Sequence, residues 1–280
     1  PAVMGTGALG GLYETTNRIP NFLFDLFAGG ALQAVLIPAF VRAREHGGDV
    51  GLRRLADSVS GALVAFLGML TAVGMAASPL IVRAFTVAEP NSALQADKNN
   101  LGTLFTLIFI PQVLCYGLVI VSSAVLAARH RFFAAAIAPV VNNVVVIAAY
   151  VVFWSMRNGR PPTLDLRPAE FAILAGGTTL AVVAFAAVPV LLAVRSRGMG
   201  RPVWDRSVAA EAGLHRAGGW AILQMAGLLS LNFVAIGLGN GAENGTGVFL
   251  WAQNFMVLPI GLIAAPVATS LAPRLVTARL

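Results

Sequence analysis

Seven long apolar runs alternate with short polar breaks along the chain, at about 20–41, 59–83, 101–127, 132–154, 169–194, 217–239 and 246–273. A helix needs about 20 apolar residues to cross a bilayer, and each run meets that length. Inside lipid only helices and closed barrels satisfy their own backbone. Barrel strands are short and alternate in polarity, whereas these runs are long and uniformly apolar. The pattern predicts an all-α fold, a polytopic transmembrane helix bundle.

The breaks between runs carry their own signals. Residues 155–168 hold Pro161 and Pro162 among polar residues and read as an external loop. Residues 203–216 set Trp204, Val208 and Leu214 among charges. That stretch reads either as a helix lying on the membrane surface or as a solvated connector. Residues 1–12, "PAVMGTGALGGL", read as the end of a preceding membrane helix and a glycine-rich turn. An odd number of spans starting outside points the same way. Prolines recur inside the spans at Pro20, Pro38, Pro79, Pro111, Pro139, Pro189, Pro259 and Pro266. Such prolines kink helices and free carbonyls.

Composition agrees with a membrane bundle. The 280 residues are 58% hydrophobic and 11% charged, where soluble domains run near a quarter charged. The net charge of +7 does not point to nucleic acid, because the basic residues sit in short loops between apolar runs. Those loops divide unevenly. Arg42, Arg44, Arg53, Arg54, Arg129, Arg131, Arg195, Arg197, Arg201, Arg206, Arg216, Arg274 and Arg279 follow the odd-numbered spans. Only Arg18, Arg83, Lys98, Arg157, Arg160 and Arg167 occupy the opposite set. Basic residues favour the cytoplasm, so the first span runs from outside to inside and the last ends inside. Cys115 is the single cysteine, so no disulfide forms within these residues. Its place in an apolar run suits a buried structural thiol.

The candidate chemistry lies in polar groups inside the spans. Each helical residue turns about 100°, which sets Glu14, Asn17, Arg18, Asn21 and Asp25 within roughly 60° of one line. They form one stripe if the helix runs through Pro20. If it begins at Pro20, a good first-turn residue, only Asp25 is deep. Charges at depth do not face lipid. Two readings stay open: a cavity wall, or ion pairs of Arg18 with Glu14 or Asp25 that lock helices together. Gln112, Asn142, Asn143, Gln224, Asn232, Gln253 and Asn254 add neutral polar groups within the spans. Interhelical hydrogen bonding or a hydrophilic path explains each equally well. Enzyme signals are poor. His46, His130 and His215 fall at span ends without metal-ligand spacing. The glycine-rich pieces follow no strand and lack the lysine of a nucleotide loop. No catalytic residue, metal site or cofactor is expected. Any transport draws on a gradient, on substrate flux or on another chain, with a coupling cation or the membrane potential left open.

Several stretches resemble one family in collinear order. "RIPNFLFDLFAGGALQAVLIPAFVRA" resembles the second helix of the MurJ (MviN) lipid II flippases, through Pro20, Asn21, Phe27, Ala28, Gly30, Ala31 and Pro38. "SVSGALVAFLGMLTAVGMAASPLIV" is similar to the third helix, and "FIPQVLCYGLVIVSSAVLAARHRFFAAAIAPVVNNVVVI" to the fourth and fifth. "GVFLWAQNFMVLPIGLIAAPVATSLAPRL" is similar to the eighth. The resemblance implies a two-lobed transporter of about fourteen helices with related halves and a substrate path near the midplane. Residues 13–200 would be the first lobe and 201–280 the start of the second. It implies an inner-membrane flippase for an undecaprenyl-pyrophosphate-linked peptidoglycan precursor, lipid II or a similar polyprenyl-linked glycan. Its partners would be membrane lipids and cell-wall synthesis proteins, with no nucleic acid. Arg18 matches a family basic residue before Pro-Asn. It would contact pyrophosphate through charge-assisted bonds. Glu14 and Asp25 would hold Arg18 or bind a coupling ion, and Asn17, Asn21, Asn142 and Asn143 would line the sugar path. The family often places arginines where this chain has Phe24-Asp25 and Asn254. That departure also admits two other readings, a non-transporting scaffold and an exporter of another polyprenyl-linked glycan.

Overall fold

The computed structural model describes residues 7–28, 30–87, 89, 91–203, 205, 227, 230–231, 234–239 and 245–259, and among them the side chains of 22–28, 30–35, 135, 246–247, 250, 254 and 257–259 lie outside the description. The described residues are mostly helical, with no strand among them. The order is α1 (Ala8–Ala28), α2 (Gly30–Thr86), α3 (Ser92–Phe109), α4 (Gln112–Ala128), α5 (Phe133–Arg157), α6 (Pro168–Phe171), a π-helical turn (Ala172–Gly176), α7 (Gly177–Arg195) and α8 (Gly245–Pro259).

Four described segments are long and apolar enough to cross a membrane: Leu36–Thr86, Ser92–Ala128, Ala136–Arg157 and Pro168–Arg195. The lipid-facing side of α5 is visible in the exposure of Val140, Val144, Ile147 and Val151. Oily residues in the open are what a bilayer, not water, accommodates. The protein is a multi-pass membrane protein.

Helix limits differ from the apolar runs in instructive ways. Pro20 does not start the first helix. It lies inside α1, which begins at Ala8. Residues 8–12, expected to belong to a turn, are therefore helical. Two glycines there cost helix propensity, and packing offsets it: Leu9 and Tyr13 are fully buried against Phe105, Phe109, Phe153 and Leu174. The polar break after the first span is a sharp corner within α2, where Gly48 takes φ 61° and ψ −155°. That left-handed backbone suits glycine. The run expected at 101–127 is two helices, α3 and α4, parted at Ile110 and Pro111. Proline lacks the donor that would continue α3. The start of α3 precedes the apolar run, because Asn91 Oδ1 accepts from the amides of Ala93 and Leu94 at 3.0 and 3.1 Å. This is a side-chain N-cap.

Two cores hold the bundle. One gathers Leu36, Phe40, Leu52, Ile120, Val125 and Met199. The other is the aromatic cluster around Tyr13 and Phe105. Charges collect beyond each. At the first end Asp49 pairs with Arg44 at 3.6 Å and with Arg129 at 2.8 Å. Arg129 also donates to the Ser196 carbonyl at 2.5 Å. At the second end Glu89 meets Lys98 at 2.5 Å, and Glu170 meets Arg157 and Arg160 at 3.4 and 2.6 Å. Among the described residues, the loops holding Arg44 and Arg129 thus stand at the end opposite those holding Lys98, Arg157 and Arg160. The richer end is cytoplasmic by the positive-inside rule. Of the runs at 217–239 and 246–273, the part beyond α8 and most of the former lie outside the described residues.

Candidate functional site

The continuity of α1 through Pro20 decides the geometry of its polar stripe. Glu14, Asn17, Arg18 and Asn21 share one helix and are all half-buried. Arg18 Nη1 donates to Gln253 Oε1 on α8 at 2.8 Å, across 235 residues of sequence. Of the two expected ion-pair locks, Arg18 with Asp25 falls on a side chain outside the described residues. Among the described residues no salt bridge joins Glu14 to Arg18. Asn21 Nδ2 donates back to the Asn17 carbonyl at 3.1 Å, so its amide is used within the helix. Asp25 belongs to α1 by its backbone, and its side chain lies outside the described residues, as does that of Asn254 on α8.

Apolar contacts flank the Arg18–Gln253 bond. Ile19, Phe85, Ile110 and Ile236 form a buried cluster with Ile81 and Phe249 packed on it. This cluster joins α1, α2 and the α3–α4 break to residue 236 and α8. It lies toward the external end, with Phe85 one residue from the end of α2. Among the described residues, the N-terminal bundle and α8 therefore touch through the charge-assisted Arg18–Gln253 bond beside an apolar cluster.

Asn142 and Asn143 are placed elsewhere. They sit on α5, where Asn142 Nδ2 donates to Asn143 Oδ1 at 3.4 Å, and Asn143 is exposed beside Val144. The structure does not bring them into bonding contact with the α1 stripe. Gln112, another intramembrane polar residue, is an interhelical tie: its Nε2 donates to Thr179 Oγ1 on α7 at 2.9 Å.

One polar group escaped sequence reasoning. The Tyr150 hydroxyl donates to Tyr13 Oη at 3.1 Å, and Tyr13 lies 2.5 Å from Thr178 Oγ1. Thr178 in turn donates to the Leu174 carbonyl at 2.7 Å. Each hydroxyl so has a donor role, and the chain links α5, α1 and α7 inside the aromatic core. Leu174 lies in the π-helical turn, where i→i+5 bonding widens the helix. Tyr13 precedes Glu14 by one residue, so this turn and the polar stripe meet on neighbouring faces of α1. The sole signal in the sequence was tyrosine and threonine within apolar runs, a weak one.

Chemically the arrangement offers a cation, a carboxyl and amides on one helix wall, and no nucleophile–base pair. Among the described residues no three His, Cys, Asp or Glu stand together. His46 Nδ1 lies 2.8 Å from the carbonyl of Arg42 one turn earlier. Such a wall suits binding and release rather than bond-making.

Known proteins share this chain's sequence and fold. A family model described as "Lipid II flippase MurJ" matches residues 1–279. A Rhizobium tropici protein named "Probable lipid II flippase MurJ" is 30% identical over 276 residues, covering 98% of this chain and 50% of that protein. A Rhizobium meliloti (strain 1021) protein of the same name is 30% identical over 284 residues, covering 99% and 50%. The solved structure titled "Lipid II flippase MurJ, inward closed conformation" superposes with a TM-score of 0.69 at 16% identity, over 96% of this chain and 52% of that one. The chain spans about half the length of the curated relatives it matches.

Proposed function

The chain belongs to the MurJ lipid II flippase family, and from that premise we propose that it is a large part of a bacterial inner-membrane flippase. Its substrate is an undecaprenyl-pyrophosphate-linked peptidoglycan precursor, carried from the cytoplasmic to the outer leaflet by alternating access. Residues 13–200 act as the first lobe, and α8 with its neighbours opens the second.

The observation that carries this reading is the Arg18–Gln253 bond between α1 and α8. In this arrangement Arg18 helps close the external end. To release a headgroup outward, α1 and α8 must part, which frees the guanidinium from Gln253 and turns it to the opened space. A guanidinium fork matches pyrophosphate oxygens well. Arg18 thus alternates between gate and substrate. Glu14, one turn away, tempers the positive charge. Asn17 and Asn21 offer amides to the sugars, and Asp25 and Asn254 extend the same path. Asn142 and Asn143 serve the path only if α5 turns toward it during the cycle. Energy comes from the membrane potential or a coupling cation.

The test is complementation of cells depleted of their own flippase, using the full-length gene. Wild type rescues growth. Arg18→Ala does not, and Arg18→Lys rescues partially, because lysine keeps charge without the fork. Full rescue by Arg18→Ala overturns the role given to Arg18. The scaffold reading separates by headgroup translocation: purified full-length protein in vesicles moves the lipid headgroup, whereas a scaffold does not.

A further inference from the structure

A cavity of about 310 Å³ opens beside the cytoplasmic end of the bundle, among α2, α4, α5 and α7. Its walls are apolar: Ile37, Val119, Ala124 and Ala127 on one side, Pro139 and Phe185 on the other. One charged residue lines it, Arg131, and no carboxylate does. The Arg131 guanidinium is exposed and makes no hydrogen bond or ion pair among the described residues. Its neighbour Arg129 is held by an ion pair to Asp49 and a hydrogen bond to the Ser196 carbonyl. The contrast is chemical. The cytoplasmic turn between α4 and α5 keeps one arginine for structure and leaves one over an oily hole.

The surroundings say which solvent the hole meets. Phe132 lines the cavity, and Phe132 and Phe133 are 62% and 74% exposed. Exposed phenylalanines suit acyl chains, and a long basic side chain beside them reaches the headgroup level. Pro139 and Val140 are exposed on the apolar face of α5. The mouth therefore opens sideways to the inner leaflet at headgroup depth.

We propose that this cavity binds an anionic two-chain glycerophospholipid of the inner leaflet, with its phosphate on Arg131 and one acyl chain along the apolar walls. The volume falls at the low end of small-ligand pockets, enough for part of one chain. Charge selects the headgroup. A zwitterionic lipid would bring an ammonium beside Arg131, and no lining carboxylate receives it. An anionic lipid brings only acceptors, which the arginine fork holds by paired bonds. Ser123 adds a hydroxyl to the same wall. The site concerns the flank of the bundle and stands whether or not lipid II is the cargo.

The test uses the full-length protein in nanodiscs, with lipid release into detergent followed by native mass spectrometry. The probes are dioleoylphosphatidylglycerol, dioleoylphosphatidylcholine and undecaprenyl phosphate. Wild type retains phosphatidylglycerol over phosphatidylcholine. Arg131→Gln lowers that retention about fivefold, the effect of one basic residue near an anionic surface. Arg54→Gln removes an equally exposed arginine from the same end and leaves it unchanged. Ala127→Leu, which fills the cavity, lowers retention of the lipid with Arg131 intact. An equal loss in the Arg131 and Arg54 variants would mean diffuse attraction and overturn the site. So would equal retention of phosphatidylcholine, or displacement of phosphatidylglycerol by undecaprenyl phosphate at equal mole fraction.

Discussion

At the scale of the residue, the protein spends its charges in two ways. Some close structural knots. Glu170 is 1% exposed, and both its oxygens are used: Oε2 accepts from the Arg167 amide at 3.0 Å and faces Arg157 at 3.4 Å, and Oε1 accepts from Arg160 at 2.6 Å. Arg157 also donates to the Pro161 carbonyl, which folds the external loop back on its own helix end. Removing one partner from a buried pair leaves the other charge stranded, at about 3 kcal/mol or more. Glu170→Gln is thus expected to lower the melting temperature of the detergent-solubilised protein by several degrees. Arg160, 39% exposed, is partly screened by water, and Arg160→Ala should cost under about 1 kcal/mol. Equal losses in the two variants would remove Glu170 from its central place. Other charges lie outside such knots: Arg18 bonds the Gln253 amide on α8, and Arg131 stands over a cavity. Composition counts both kinds alike, so loop charge does not reveal the task.

At the scale of the element, uniform apolarity over a span's length is a local property, and four described segments are long and apolar enough to cross a membrane. What depends on a distant neighbour was not legible. Whether Pro20 begins α1 or lies within it depends on Leu9 and Tyr13 finding Phe105 and Phe109, nearly a hundred residues on. The partner of Arg18 was equally hidden, since nothing near Gln253 names a residue 235 positions earlier. The segment 198–203, with residue 205, shows the same dependence. It is strapped along α2: the Gly200 amide donates to Asp57 Oδ1 at 2.5 Å, the Val203 amide to the Asp57 carbonyl at 2.9 Å, and Ser58 Oγ to the Asp205 carbonyl at 2.6 Å. Gly61 makes room for it. A Cβ there would lie 2.2 Å from the Val203 carbonyl oxygen, a backbone atom tied down on both sides. Gly61→Ala should displace the strap at about 1–3 kcal/mol, the usual cost of overpacking. Trypsin reads this out: cleavage after Arg197, which Gly198 follows, should quicken in the variant while the helices stay resistant. Unchanged cleavage would show that the strap holds without close approach at Gly61.

At the scale of the whole molecule, the two ends of the bundle differ in kind. The cytoplasmic end is bound by ion pairs and a strap within the N-terminal helices. The external end is where those helices meet α8, through Ile19, Phe85 and Ile110 against Ile236 and Phe249 beside the Arg18–Gln253 bond. If α1 and α8 part once per cycle, as proposed above, their contact cannot be deep in stability. The Arg18–Gln253 bond and the apolar patch beside it meet that requirement, since a charge-assisted bond nets only about 1.5–3 kcal/mol. Fixing the contact should stop transport without unfolding anything. Cysteines at Ile19 and Phe249, in a full-length background stripped of others, can be bridged by a short bis-methanethiosulfonate linker. Before bridging, the double variant should move headgroups across vesicle membranes, because neither residue is charged or offers the substrate a hydrogen bond. After bridging, translocation should stop, and a reductant that cleaves the linker should restore it. Protein bridged at both sites that still translocates at the unbridged rate would show that α1 and α8 stay together through the cycle, and the alternating role of Arg18 would fall with it.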